Sequence, residues 1–235
     1  MNANTSFQQT GAVTRVNAFI RSTYNWMTIG LVATGLTSFF VSESPALLQI
    51  MFGNPIMPIA MFIGLIVLCG FLGARVHKMQ ASTATGLFVT LTVLYGVCLA
   101  PIFLAYTKAS IASTFFICAA TFGSASIYGM VTKKDLTGMG QFLMMGLMGI
   151  IIAMIINIFI GSSAMQTIIS MIAVVLFTGL TAYDTQKLRS MALTMPDNAT
   201  GAMIRKGAIM GALSLYLDFM GLFVHLLQLL GVARD

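Results

Sequence analysis

Two carboxylates stand where carboxylates are costly: Asp184 in GLTAYDTQKLRS and Asp218 in LSLYLDFMGLFVHLLQLLG. Apolar residues flank both, and an aspartate at mid-bilayer costs about 2.5–3.5 kcal/mol on insertion scales, so such acids usually face a bundle interior and serve an ion path or proton relay. The other four acids, Glu43, Asp135, Asp197 and Asp235, fall in expected loops or at the terminus. Two carboxylates meeting in a poorly solvated place cannot both ionise cheaply, so they share one proton. With that proton they can join two helices by a short hydrogen bond. Without it they repel and offer oxygen ligands to a hard cation such as Ca²⁺. Asp184 and Asp218 are therefore the expected pH sensor and gate, and the expected transient Ca²⁺ ligands; no resident cofactor is expected.

Helical geometry groups further residues with Asp218. At 100° per residue, Gly207, Gly211, Ser214, Gly221 and His225 project within about 60° of it, a small and polar stripe that would let neighbouring backbones approach. The helix is expected to run through the middle of a bundle, with Ser214, Gly221 and His225 as candidate path-lining residues. His225 reads first as a satisfied interhelical histidine and second as a path-lining or pH-sensing one, and Gln228, about 80° from the stripe, as a residue reaching the interface. Asp184 and Asp218 fall in the same half of the membrane, at depths differing by roughly 10 Å. Arg75 is the candidate cation to latch the ionised pair, or else an arginine snorkelling at a membrane end.

The elements that must position these groups are membrane helices. Hydrophobic residues make up 58% of the 235 and charged residues 8%, whereas soluble domains carry about 25% charged. Apolar runs place seven spans at about 23–41, 56–74, 83–105, 110–131, 141–161, 165–186 and 207–231, giving an all-α membrane protein in one seven-helix domain over 23–231. A polar segment 1–22 precedes it and a short end 232–235 follows. The first 20 residues lack the apolar core of a signal peptide, so the first span is expected to address the chain.

If the loops alternate sides, ten of the twelve Lys and Arg residues fall on one side and only Lys108 and Arg234 on the other. By the positive-inside rule the N-terminus is cytoplasmic, and seven spans place the C-terminus outside. The net charge of +6 is thus orientation information, not a nucleic-acid signal. Expected partners are the lipid bilayer, Ca²⁺ and protons; the sequence specifies no protein partner. Cys69, Cys98 and Cys118, all inside apolar runs, read as reduced apolar filler, as do the 19 methionines.

Together these residues suggest a pH-sensitive calcium or cation leak channel gated by an aspartate pair. A proton-coupled transporter would use the same acids for alternating access, although no inverted repeat is visible. A regulatory membrane protein that transports nothing is the third reading. Intramembrane aspartyl proteolysis is disfavoured: Tyr183-Asp184 copies half of that signature, but Asp218 follows Tyr-Leu in place of Gly-x-Gly, so no enzyme is expected.

AYDTQKL, PIF at 101–103 and ALSLYLDFMGLFVHLLQLLG resemble the bacterial branch of the transmembrane Bax inhibitor motif (TMBIM) family. The resemblance spans nearly the whole chain. It implies a seven-helix fold with a central last helix, residence in the bacterial inner membrane, and pH-sensitive Ca²⁺ leak governed by an aspartate pair matching Asp184 and Asp218. It also implies a latching arginine from the second helix, for which Arg75 is the nearest match and Lys78 the alternative. The basic cytosolic tail of the death-suppressing eukaryotic relatives is not matched by GVARD, so no apoptotic role is expected.

Overall fold

The computed structural model describes residues 3–196 and 198–234, with side chains described from Val16 onward except that of His77. Asp197 and Asp235, read above as a loop and a terminal acid, lie outside the described residues. The elements are α1 (Ala3–Ser42), α2 (Pro45–Phe52), α3 (Ile56–Arg75), a 3₁₀ turn (Val76–Lys78), α4 (Ala81–Leu99), α5 (Ile102–Ala105), α6 (Lys108–Val131), α7 (Thr137–Ile160), α8 (Ser163–Leu193) and α9 (Gly201–Leu230). Among the described residues the only β-type pairing is an isolated bridge between Tyr106 and Ala233. Six helices are long and apolar enough to cross a membrane, seven when α1 from Val16 and α2, bent by 100°, count as one span. The chain is an all-α multi-pass membrane protein. Its last helix is the most enclosed: 67% of the apolar stretch of α9 is buried, against 11–33% for the other five long spans.

Several boundaries differ from the sequence reading. The segment 1–22 was expected as a polar lead, yet α1 is one helix from Ala3. Backbone hydrogen bonding needs no apolar residue, so hydropathy reveals the lipid-contacting part of a helix and not its end. The connection read at 42–55 contains α2, where Ser44 Oγ accepts from the Leu47 N–H and Pro45 occupies the first turn, a position its missing N–H suits. The span 83–105 is interrupted at Pro101, which has no N–H to donate, so α4 ends at Leu99 and a short α5 follows. The long loop expected after 186 shrinks to 194–200, because α8 runs on to Leu193 and α9 starts at Gly201.

The chain divides into two compact units, one of residues 1–105 and 190–213, the other of 106–189 and 214–235. In the first, α1 packs on α4. Gly96 permits this, since a Cβ there would lie 2.6 Å from the Thr34 carbonyl, and the Thr34 hydroxyl donates to Thr92 O at 2.9 Å. Phe19, Leu72, Phe88 and Leu91 are fully buried. The Arg205 guanidinium lies 5.5 Å over the Trp26 ring.

In the second unit, Ile150, Ile169, Ala173, Leu176 and Leu180 form a core between α7 and α8. Phe219 meets Phe115 and Phe122 at 5.5 and 5.4 Å, and buried Cys118 donates to Phe219 O at 3.6 Å. Gly161, at φ 69°, ends α7 in the left-handed conformation, which a residue with a Cβ enters only at a cost. Ile158, Phe159, Val175 and Ile152 remain exposed, as lipid-facing residues should.

Outside the spans, the exposed Asp135 carboxylate accepts from both the N–H (2.9 Å) and the hydroxyl (2.6 Å) of Thr137 at the start of α7. The hydroxyl bond first, and the backbone bond second, hold its pKa below the ordinary carboxylate value. A depressed pKa contributes stability above the unfolded-state value that disappears as pH falls through the folded one. Asp135→Ala should therefore lower the melting temperature in detergent at neutral pH, with the difference from wild type vanishing in acid.

Candidate functional site

The segment carrying Asp184 is fixed residue by residue. Ala182 packs against α6 at Gly129, where any Cβ would collide with the Ala182 carbonyl, and Tyr183 packs on α7 at Gly140, where a Cβ would lie 2.5 Å from its ring. The Thr185 hydroxyl donates to Ser126 Oγ of α6 at 3.3 Å. Gln186 clamps the α6–α7 connection, accepting from the Leu136 N–H and donating to Lys134 O, both at 2.8 Å. With its neighbours bound to α6 and α7, Asp184 is left to face α9.

There the half-buried Asp184 carboxylate accepts from the Ser214 hydroxyl, while Lys187, one turn on, supplies a positive charge nearby. Asp184 is also the electrostatic neighbour of Asp218. Asp218 is 6% exposed, and its Oδ2 is buried without a hydrogen-bond partner among the described residues. An unpaired buried polar atom costs roughly 1–3 kcal/mol, more when charged, so this oxygen is one that a proton or cation would satisfy. Among the described residues no three His, Cys, Asp or Glu side chains group together. A cation here would meet two carboxylates, with the Lys187 charge nearby, short of the six to eight oxygens that retain Ca²⁺.

The remaining predicted residues are placed as follows. Gly221 lies under the ring of Phe177. His225 is 5% exposed, its Nδ1 is 3.3 Å from Ser170 Oγ, and its ring stacks on Phe177 at 6.1 Å and 23°. The interhelical bond of one of its two readings is thus present. Arg75 is exposed in the last turn of α3 with its guanidinium 5.9 Å over the Phe71 ring, and Lys78 is exposed in the 3₁₀ turn; both belong to the first unit.

Gln228 is exposed near the end of α9, and the structure adds hydrogen bonds to its sequence reading. Its Oε1 accepts from Ser170 Oγ at 2.7 Å and from Gln166 Nε2 at 2.9 Å, and Asn157 Nδ2 donates to Gln166 Oε1 at 3.2 Å. It anchors a polar network joining α7, α8 and α9, which pairs amides set among apolar residues. Ser170, Gln166, Asn157 and Gln186 were missed. A signal existed in amides set inside the apolar runs IINIFI and SAMQTIIS. Gln186→Ala should leave the part-buried Leu136 N–H without its partner, the exposed Lys134 carbonyl turning to solvent, and cost about 1 kcal/mol, measurable by denaturant titration in micelles.

The fold defines a multi-pass all-helical membrane protein, with Asp218 buried on its last helix and the half-buried Asp184 as its electrostatic neighbour on the helix before. The family model described as "Inhibitor of apoptosis-promoting Bax1" matches residues 16–235. The inner membrane protein YbhL of Escherichia coli is 40% identical over 219 residues, covering 93% of each chain. Uncharacterized proteins of Borreliella burgdorferi and Rickettsia prowazekii are also 40% identical, covering 93% and 92% of this chain and 94% and 90% of their own. The chain belongs to the Bax inhibitor (Bax1-I) family.

Proposed function

We propose that the chain is a pH-sensitive Ca²⁺ and cation leak channel of a bacterial inner membrane, gated by the protonation of Asp184 and Asp218. The observation carrying this reading is the enclosed, unpartnered Asp218 Oδ2 beside a second carboxylate. A shared proton holds α8 to α9. Its loss sets two like charges against each other, loosens α9 and offers a passing cation an oxygen site. The low ligand count favours passage over storage. The N-terminus is cytoplasmic and the C-terminus outside, as the ten-to-two distribution of basic residues supports. The seven spans work as one domain, and catalysis forms no part of the reading.

The test is Ca²⁺ entry into proteoliposomes down a concentration gradient, with pH set equal on both sides. Entry should rise as pH rises, without stoichiometric proton movement. Strict coupling to protons would make the protein a carrier; no flux at any pH would leave a regulatory role and defeat the channel.

A further inference from the structure

Within the second unit, contacts between α8 and α9 recur every seven residues on each helix. Asp184 meets Ser214, Phe177 covers Gly221, and Ser170 meets Gln228. The α8 numbers fall by seven as the α9 numbers rise by seven, so the helices run antiparallel. Seven residues are two turns, about 10.5 Å, and the contacts form three stacked layers. The first is ionisable, the second apolar and the third neutral and polar.

The middle layer closes tightly. A Cβ on Gly221 would lie within 2.6 Å of the tip of the Phe177 ring, so the ring occupies the space where any other residue would place a side chain. Phe177 also packs on the α7–α8 core and stacks on His225, which braces it from two further sides. On the far side the polar atoms are already committed. Gln228 Oε1 can only accept, so Ser170 gives it its single proton and receives the Nδ1–H of His225. A hydrated ion leaving the acid layer along this face therefore meets an aromatic plug before reaching polar groups again, and apolar constrictions close a path by excluding water.

We propose that Phe177, seated over Gly221, is the apolar gate of the cation path, separating the Asp184, Ser214 and Asp218 layer from the Ser170, His225 and Gln228 layer. This rests on the channel reading above. Under the condition of lowest wild-type Ca²⁺ entry, Phe177→Asn should raise the rate roughly tenfold while a large co-trapped dye stays inside. Phe177→Tyr, which keeps the ring and adds a hydroxyl, should raise it about threefold, and Phe177→Leu should stay within about twofold of wild type.

Wild-type entry in a Phe177→Asn protein that keeps its cooperative melting overturns the gate; should that variant not fold, wild-type entry in Phe177→Tyr does so. Increased entry through Phe177→Asn, combined with an intact pH response in Asp184→Asn and Asp218→Asn, keeps the gate and removes the aspartate reading. A lost pH response in those two with no effect at Phe177 does the reverse. No Ca²⁺ entry in wild type or Phe177→Asn removes both.

Discussion

Asp218→Asn and Asp184→Asn are each expected to flatten the pH dependence of Ca²⁺ entry, holding it near the low wild-type level seen in acid. The amide resembles the protonated carboxyl in size and can still hydrogen-bond across the helices, but it never acquires charge. Like charges in a poorly solvated site repel by up to about 4 kcal/mol at contact distances and an effective dielectric near 20, enough to shift a helix equilibrium by up to roughly 10² to 10³. Either Asn variant deletes that repulsion completely, which is why the two singles should behave alike and the double variant should add little. Flux is read in proteoliposomes across acid and neutral pH, beside Asp135→Asn, whose solvent-exposed carboxylate bonds only to its own turn and should leave the response unchanged. A wild-type response surviving in both single variants would sink the proposal.

The acids were legible because the cost they carry is local: no partner need be known to see that Asp218 is out of place between Leu217 and Phe219. Ser214 could be found from helical spacing alone, and the structure puts it on Asp184. Gly221 lay on the same stripe, but its partner Phe177 could not be found that way. A phenylalanine is ordinary in a membrane helix, and its meaning lies in a pairing across two helices that only the fold supplies. The polar network failed for a related reason, since Asn157, Gln166 and Gln228 look like scattered interface residues until packing brings them within bonding distance. Spans were legible from apolar runs, but helix ends were not: α1 and α8 continue beyond their apolar stretches, where hydropathy is silent. At α2, Ser44 followed by Pro45 was a start signal in plain view, outweighed by the loop-like SESP.

Gly129→Ala should be the most damaging conservative change in the second unit. The added methyl would strike the carbonyl and α-carbon of Ala182, which are helical backbone and cannot rotate away as a side chain tip can. Helices α6 and α8 must therefore separate, and overpacking of this kind costs about 1–3 kcal/mol. Separation also breaks the Thr185–Ser126 contact, already 3.3 Å long, and carries Asp184 with it, because positions 182, 183, 185 and 186 are what hold that segment in register. The expected result is a lowered unfolding midpoint in micelles together with a shifted or weakened pH response of Ca²⁺ entry. Gly149→Ala on α7 is the matched control. A Cβ there meets nothing within 4 Å, so it should stabilise the helix by up to about 1 kcal/mol and leave flux alone. Equal behaviour of the two variants would mean that the close approach at Gly129 positions nothing.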